Sequence, residues 1–323
     1  MRARFWLLAP IALLLAAIAG VAFGSVSIGG HDLWHALLGD ADPTSMSIVR
    51  SLRLPRVALA ALVGAGLGMS GSALQGTLRN ALAEPYLLGV SGGAAVGAVI
   101  AVALHAPAGV VPLAGFGGAL GAVALTLLVA RAAAGRGDAR VVLMAGVVVG
   151  AFANAAIMVA LAGADASVVR GALWWMMGSA ADASWHSVRL LAVYVGLGVA
   201  ILLSLGRGID VLALGEDTAA GMGVDVARVT LGVYIAAALL AAGTVAAAGL
   251  VGFVGLLVPH VVRMAGARTH RTIIGAASLA GAALVVLADL AARISMPPAE
   301  LPLGAVTALL GVPFFLAQLR RLA

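Results

Sequence analysis

The chain of 323 residues is 63% hydrophobic, has a mean hydropathy of +1.13 and carries only 10% charged residues. Soluble domains average about 25% charged residues, so a soluble fold is excluded and a polytopic membrane protein is required. All 19 basic residues are arginine. The net charge of +6 sits at the ends of polar stretches, which orients membrane helices and gives no sign of a nucleic-acid partner. Cysteine is absent, so there is neither a disulfide framework nor a thiolate metal site. The 43 glycines exceed average usage and point to closely packed helices.

Arg2 and Arg4 precede an apolar run from Phe5 to Phe23. It is longer than the ~7–15-residue core of a signal peptide, so it reads as an uncleaved first span. Residues 25–52 are polar, and the cluster Arg50-Ser51-Leu52-Arg53-Leu54-Pro55-Arg56 introduces span two, which reaches about Leu78. Its Gly64-x-x-x-Gly68 spacing lets another helix approach, and Gly93-x-x-x-Gly97 does the same in span three, Tyr86–Leu104. Span four ends near Ala130, and span five covers Val141–Leu161. Trp174, Trp175 and Trp185 mark residues 165–185 as a short interfacial helix. Span six is His186–Leu205.

Next comes the longest polar interval between apolar runs, Gly206–Arg228, with Asp210, Glu216, Asp217 and Asp225. A plain connection needs fewer residues, so this stretch is expected to dock a soluble partner. Asp210 is expected to cap a short helix from Leu212, and Asp217-Thr218 to begin another ending at Gly221 or Gly223. Val229–Val262 is too long for one span of about 20 residues, and Gly249, Gly252, Gly255 and Pro259 interrupt its second half. Spans at Thr272–Ala292 and Leu303–Leu319 complete the chain. With Val229–Val262 as two spans and both termini in the cytoplasm, 13 of the 19 arginines fall inside, as the positive-inside rule prefers. Arg50, Arg53 and Arg56 then lie outside, against that rule.

Gly68-Met69-Ser70-Gly71 matches the G-x-S-G of rhomboid-type intramembrane proteases, with His260 as an imaginable base, but in a glycine-rich chain Ser70 reads first as a packing residue. Glu84, Asp289 and His260 sit at span ends or in thin apolar context and would serve a proton-coupled secondary transporter; all three fall near interfaces, without an embedded relay of carboxylates. The histidines lack metal-ligand spacing. No G-x-x-x-x-G-K-[ST] loop occurs, and there is no lysine to complete one. ATP, if it drives this protein, binds another chain.

Long ordered segments resemble the permease subunits of ABC importers for iron–siderophore complexes, haem and cobalamin. They are Arg53-Leu54-Pro55-Arg56, GAGLGMSGSALQGTLRNALAEPYLLGVSGGAA from Gly64, ALGEDTAAGMGV from Ala213, GLVGFVGLLVPHVVR from Gly249, and ADLAARISMPPAELPLGAVTALLGVPFF from Ala288. Ala81 stands where the family usually has proline, which loosens the turn at Asn80. The resemblance implies an all-α type II ABC importer permease fold of about ten transmembrane helices, one domain over 1–323. It implies a homodimer in the cytoplasmic membrane, two cytoplasmic ATPase subunits carrying ATP and magnesium, and a periplasmic or lipid-anchored substrate-binding protein. This chain itself would hold no cofactor or metal and be no enzyme. Leu214, Gly215, Glu216, Gly221 and Gly223 would couple to the ATPase. Asn80 and Leu82, with Asp138 and Ala139, would form the cytoplasmic gate. Arg53, Arg56 and Arg293 would receive acidic residues of the binding protein, and Arg170 and Trp174 would lie at the periplasmic mouth. An iron–siderophore is the expected cargo, with haem and cobalamin as alternatives.

Overall fold

In lipid every backbone N–H and C=O must find a partner within the protein, so apolar runs of this length fold as helices. The structure, a computed structural model, describes residues 3–134 and 139–319. In order the helices are α1 (Ala3–Ala22), α2 (Gly30–Leu38), α3 (Pro43–Ser47), α4 (Leu54–Thr77), α5 (Val90–Ala103), α6 (Val110–Ala134), α7 (Ala139–Leu161), α8 (Ala166–Met177), α9 (Trp185–Leu212), α10 (Glu216–Gly221), α11 (Val226–Ala248), α12 (Val254–Met264), α13 (His270–Ile294) and α14 (Leu303–Leu319). Among the described residues, six helices are long and apolar enough to cross a membrane, and four shorter apolar ones accompany them.

The polar stretch before span two is itself helical. Asp42 caps α3 by accepting the Ser45 N–H at 2.9 Å. A π-helical segment, Ile48–Arg53, then leads into α4, so helix runs unbroken from Pro43 to Thr77. α4 is the most buried span and α11 and α13 follow it, whereas α6, α7 and α9 keep most of their surface outside.

Glycine sets two close crossings. A Cβ on Gly64 would land on the Gly281 carbonyl oxygen of α13, and one on Gly281 would land on that of Gly64. Gly93 and Gly118 stand in the same relation between α5 and α6. The expected small-residue faces of spans two and three are therefore the faces that meet other helices.

Three boundaries differ from expectation. Span three begins as helix only at Val90, after a 3-10 turn at Pro85–Leu88 and Gly89 with φ +84°. Val229–Val262 does divide in two, but α12 has 11 residues, about 16 Å of helix against an apolar layer of about 30 Å. α9 runs on through Leu212 into the polar interval, so Asp210 starts no helix there. It lies in the last turn of α9 and accepts the His270 N–H at 2.7 Å, at the start of α13.

Candidate functional site

Two groups of side chains stand at opposite ends of the bundle. At the end holding the C-terminus of α9, the chain leaves that helix through Leu214 and turns at Gly215, whose φ of +123° favours glycine. It forms the single exposed turn and a half of α10 and leaves through Gly223 at φ +79°. Leu214 and Met222 are 68% and 62% exposed, an apolar pair held outside the bundle on either side of α10. A side chain added at Gly221 or Gly223 would meet nothing within 4 Å.

Beside α10 lies the end of α4. Asn80 N–H bonds to Gln75 O at 3.2 Å and Arg79 N–H to Gly76 O at 3.4 Å, a helix ending that places Arg79 at φ +50°. The Asn80 side-chain oxygen accepts the Leu82 N–H at 2.9 Å, and the Ala83 N–H reaches Asn80 O at 3.0 Å. The turn is thus closed without the proline missing at Ala81. Leu82 is half exposed. Glu84 follows, and burial raises its carboxyl above the usual carboxylate range. Ala139 is the first residue of α7, while Asp138 lies outside the described residues.

Four residues not expected from the sequence complete this end. Gln75 donates to the carbonyls of Gly255 and Leu256 at 3.2 and 3.3 Å and accepts from Arg263. Arg79 lies 3.8 Å from Glu216, and His270 Nδ1 lies 2.7 Å from the Asp210 carboxylate. Gln75, Arg79, Asn80, Arg263 and His270 line a cavity of 240 Å³ that Ala213 borders. Gln75 was the legible signal, a lone amide inside an apolar run.

At the other end the arginines expected at the docking surface are engaged within the fold. Arg53 is buried and donates to Val21 O and Ala22 O, both at 2.8 Å, and to Val26 O. Arg293 is buried and reaches Gly20 O at 2.9 Å, Phe23 O at 3.3 Å and Asp289 at 3.1 Å. Arg56 grips Asp289 at 2.9 Å and Glu300 at 2.7 Å. Arg50 caps α2 through Ala36 O and Leu37 O at 2.9 and 2.8 Å. Arg53 and Arg293 are thus buried, and all four arginines are engaged with helix C-terminal carbonyls or with the carboxylates of Asp289 and Glu300.

The same end opens into a cavity of 930 Å³ with a mostly apolar wall that includes Phe116, Trp174, Trp175, Tyr194 and Glu300. Phe116 and Tyr194 stack with ring centroids 5.0 Å apart. Arg170 is exposed one turn before Trp174 on α8. The fully buried Ser70 donates to Ala237 O at 3.2 Å, while the His260 ring meets Phe314 edge-on at 6.1 Å. Asp289, the most buried of the ionisable candidates, is tied to two guanidiniums and is poorly placed for a relay. Among the described residues no cluster of His, Asp or Glu suits a metal ion.

The sequence profile of the FecCD transport family matches residues 12–321. The cobalamin import system permease protein BtuC of Halobacterium salinarum is 41% identical over 281 residues, covering 86% of this chain and 74% of its own length. The iron(3+)-hydroxamate import system permease protein FhuB of Bacillus subtilis is 35% identical, covering 93% of this chain and 80% of that one. A solved structure described as an inward-facing conformation of a metal-chelate type ABC transporter superposes with a TM-score of 0.89 at 28% identity, over 99% of this chain and 100% of that one.

Proposed function

The chain belongs to the FecCD transport family, and from that membership we propose that it is the membrane subunit of a binding-protein-dependent ABC importer whose cargo is an iron–siderophore. It is a multi-pass membrane protein with the ABC permease fold, a transport subunit and not an enzyme. In the proposed assembly two copies sit in the cytoplasmic membrane, both termini inside. Two separate ATPase subunits carrying ATP and magnesium bind at the α10 end. A periplasmic or lipid-anchored binding protein delivers the chelate at the other.

The observation that carries the reading is α10. It is short and solvent-facing, entered and left through glycines at positive φ, with Leu214 and Met222 exposed beside it. A groove on the ATPase closes over it, and nucleotide-driven closure favours one of two permease states by the difference in contact energy. Asn80, Leu82, Asp138 and Ala139 form the gate that those states open and shut. At the delivery end, Arg53, Arg56 and Arg293 shape the docking platform by fixing α1, α4, α13 and the loop through Glu300, and the binding protein meets exposed residues around them. The 930 Å³ cavity with Trp174 in its wall supports a bulky chelate held weakly by apolar contact. Haem and cobalamin remain the alternative cargoes of the same machine.

The test is reconstitution with the cognate ATPase and binding protein. Gly221→Trp has open space around it, so the permease is expected to fold and dimerise yet lose ATPase binding and uptake. Unchanged uptake by this variant would remove α10 from the mechanism. Vesicles offered ferric hydroxamate, haem or cobalamin decide the cargo, since uptake of one of the latter two alone overturns the siderophore assignment.

A further inference from the structure

We propose that Arg79 is a positioning residue that joins α10 to the turn carrying Leu82, so that displacement of either is imposed on the other. This rests on the reading of α10 as the coupling element and of Asn80–Leu82 as the gate.

The backbone gives the first argument. Arg79 occupies the left-handed position that ends α4, at φ +50°, where glycine is the unstrained residue. A side chain held there against backbone preference points to work that glycine cannot do. The second argument is where that side chain goes. Its guanidinium lies 3.8 Å from the Glu216 carboxylate, and Nη1 lies 3.8 Å from where a Cβ on Gly215 would be. Arg79 thus rests on the two residues through which the chain enters α10.

The third argument is stiffness. Arg79 and Asn80 are locked to α4 by the bonds to Gly76 O and Gln75 O, and Asn80 is locked to Leu82 and Ala83 by two more. Residues 79–83 therefore move as one piece. The 240 Å³ cavity between this piece and Ala213 gives it room to move toward or away from α10. Both members of the pair are about half exposed, and such a pair stabilises little. Its loss should therefore show in coupling before it shows in stability.

The chain has no cysteine, so Leu82→Cys supplies a single thiol at the gate. The assembled complex with the ATPase is treated with N-ethylmaleimide, with and without ATP, magnesium and vanadate. In the Leu82→Cys parent, nucleotide is expected to change the labelling rate by about fivefold or more. With Arg79→Gly added, the ATPase should remain bound and hydrolysing and the melting temperature should be no lower. The nucleotide effect, however, should fall to about twofold or less. Arg79→Lys, which keeps the charge in the same backbone position, should restore most of the effect. An undiminished effect in Arg79→Gly, where Gly221→Trp has lost its ATPase, overturns the strut alone. A lower melting temperature in Arg79→Gly makes the residue structural and overturns it too. If Gly221→Trp keeps both the ATPase and the gate response, the coupling reading falls and takes the strut with it.

Discussion

Asp289 is the carboxylate on which two arginines of different helices converge. Arg56 arrives from α4 at 2.9 Å and Arg293 from one turn along α13 at 3.1 Å, and all three are shielded from water. A buried pair of this kind contributes little against an apolar substitute, but breaking it leaves charge stranded. Asp289→Ala is therefore expected to cost about 3–5 kcal/mol, read as a fall in thermal stability of the purified permease. Adding Arg293→Met should recover only part of the loss: Arg56 still has Glu300 at 2.7 Å, but the carbonyls of Gly20 and Phe23 lose their donor. A single variant as stable as the parent would mean that water, and not the ion pair, satisfies this site.

At the scale of the helix, backbone approach decides which glycines matter. Gly64 and Gly281 face each other with no room for a methyl group, and Gly71 stands likewise against Gly255 at the start of α12. α4 can lie at the centre of the bundle only because these positions are bare. Gly64→Leu is expected to drive α4 off α13 and abolish a monodisperse elution profile after extraction. Gly121 on α6 meets nothing within 4 Å, so Gly121→Ala is expected to change the melting temperature by little or to raise it, since glycine costs a helix about 0.5–1 kcal/mol relative to alanine. Equal effects of the two substitutions would refute the packing argument.

For the whole molecule, the two ends are built on different principles. The α10 end presents polar turns and exposed groups around a small cavity, while the other end is stapled together by Arg56 on Asp289 and Glu300, beside an apolar cavity. Reversing the staple should consequently harm the permease before any partner is present. Arg53→Glu with Arg56→Glu places carboxylates against the carbonyls of α1 and against Asp289. We expect the isolated protein to lose its cooperative melt, whereas surface docking residues would leave that melt intact and change only association with the binding protein. A normal melt with lost binding would return these arginines to the docking surface.

The apolar runs, the glycine spacing and the arginine bias were enough to place the apolar spans to within their ends, because a span must satisfy its own backbone and a close crossing must be bare of side chains. The family was legible for the same local reason, in unbroken segments such as GLVGFVGLLVPHVVR. The length of α12 was not legible, since its first turn begins where Phe253 takes φ +67°, a choice made by packing and not by hydropathy. Nor were the partners of Arg53, Arg56 and Arg293. An arginine at a span end reads alike whether it faces a lipid phosphate, a docking protein or a helix C-terminus folded against it. The carbonyls of Val21 and Ala22 that hold Arg53 lie more than thirty residues away in the chain, and those of Gly20 and Phe23 that hold Arg293 lie some 270 away. Charge pairing acts across space at short range, so only the tertiary structure, which brings α1, α4 and α13 together, decides which partner each guanidinium takes.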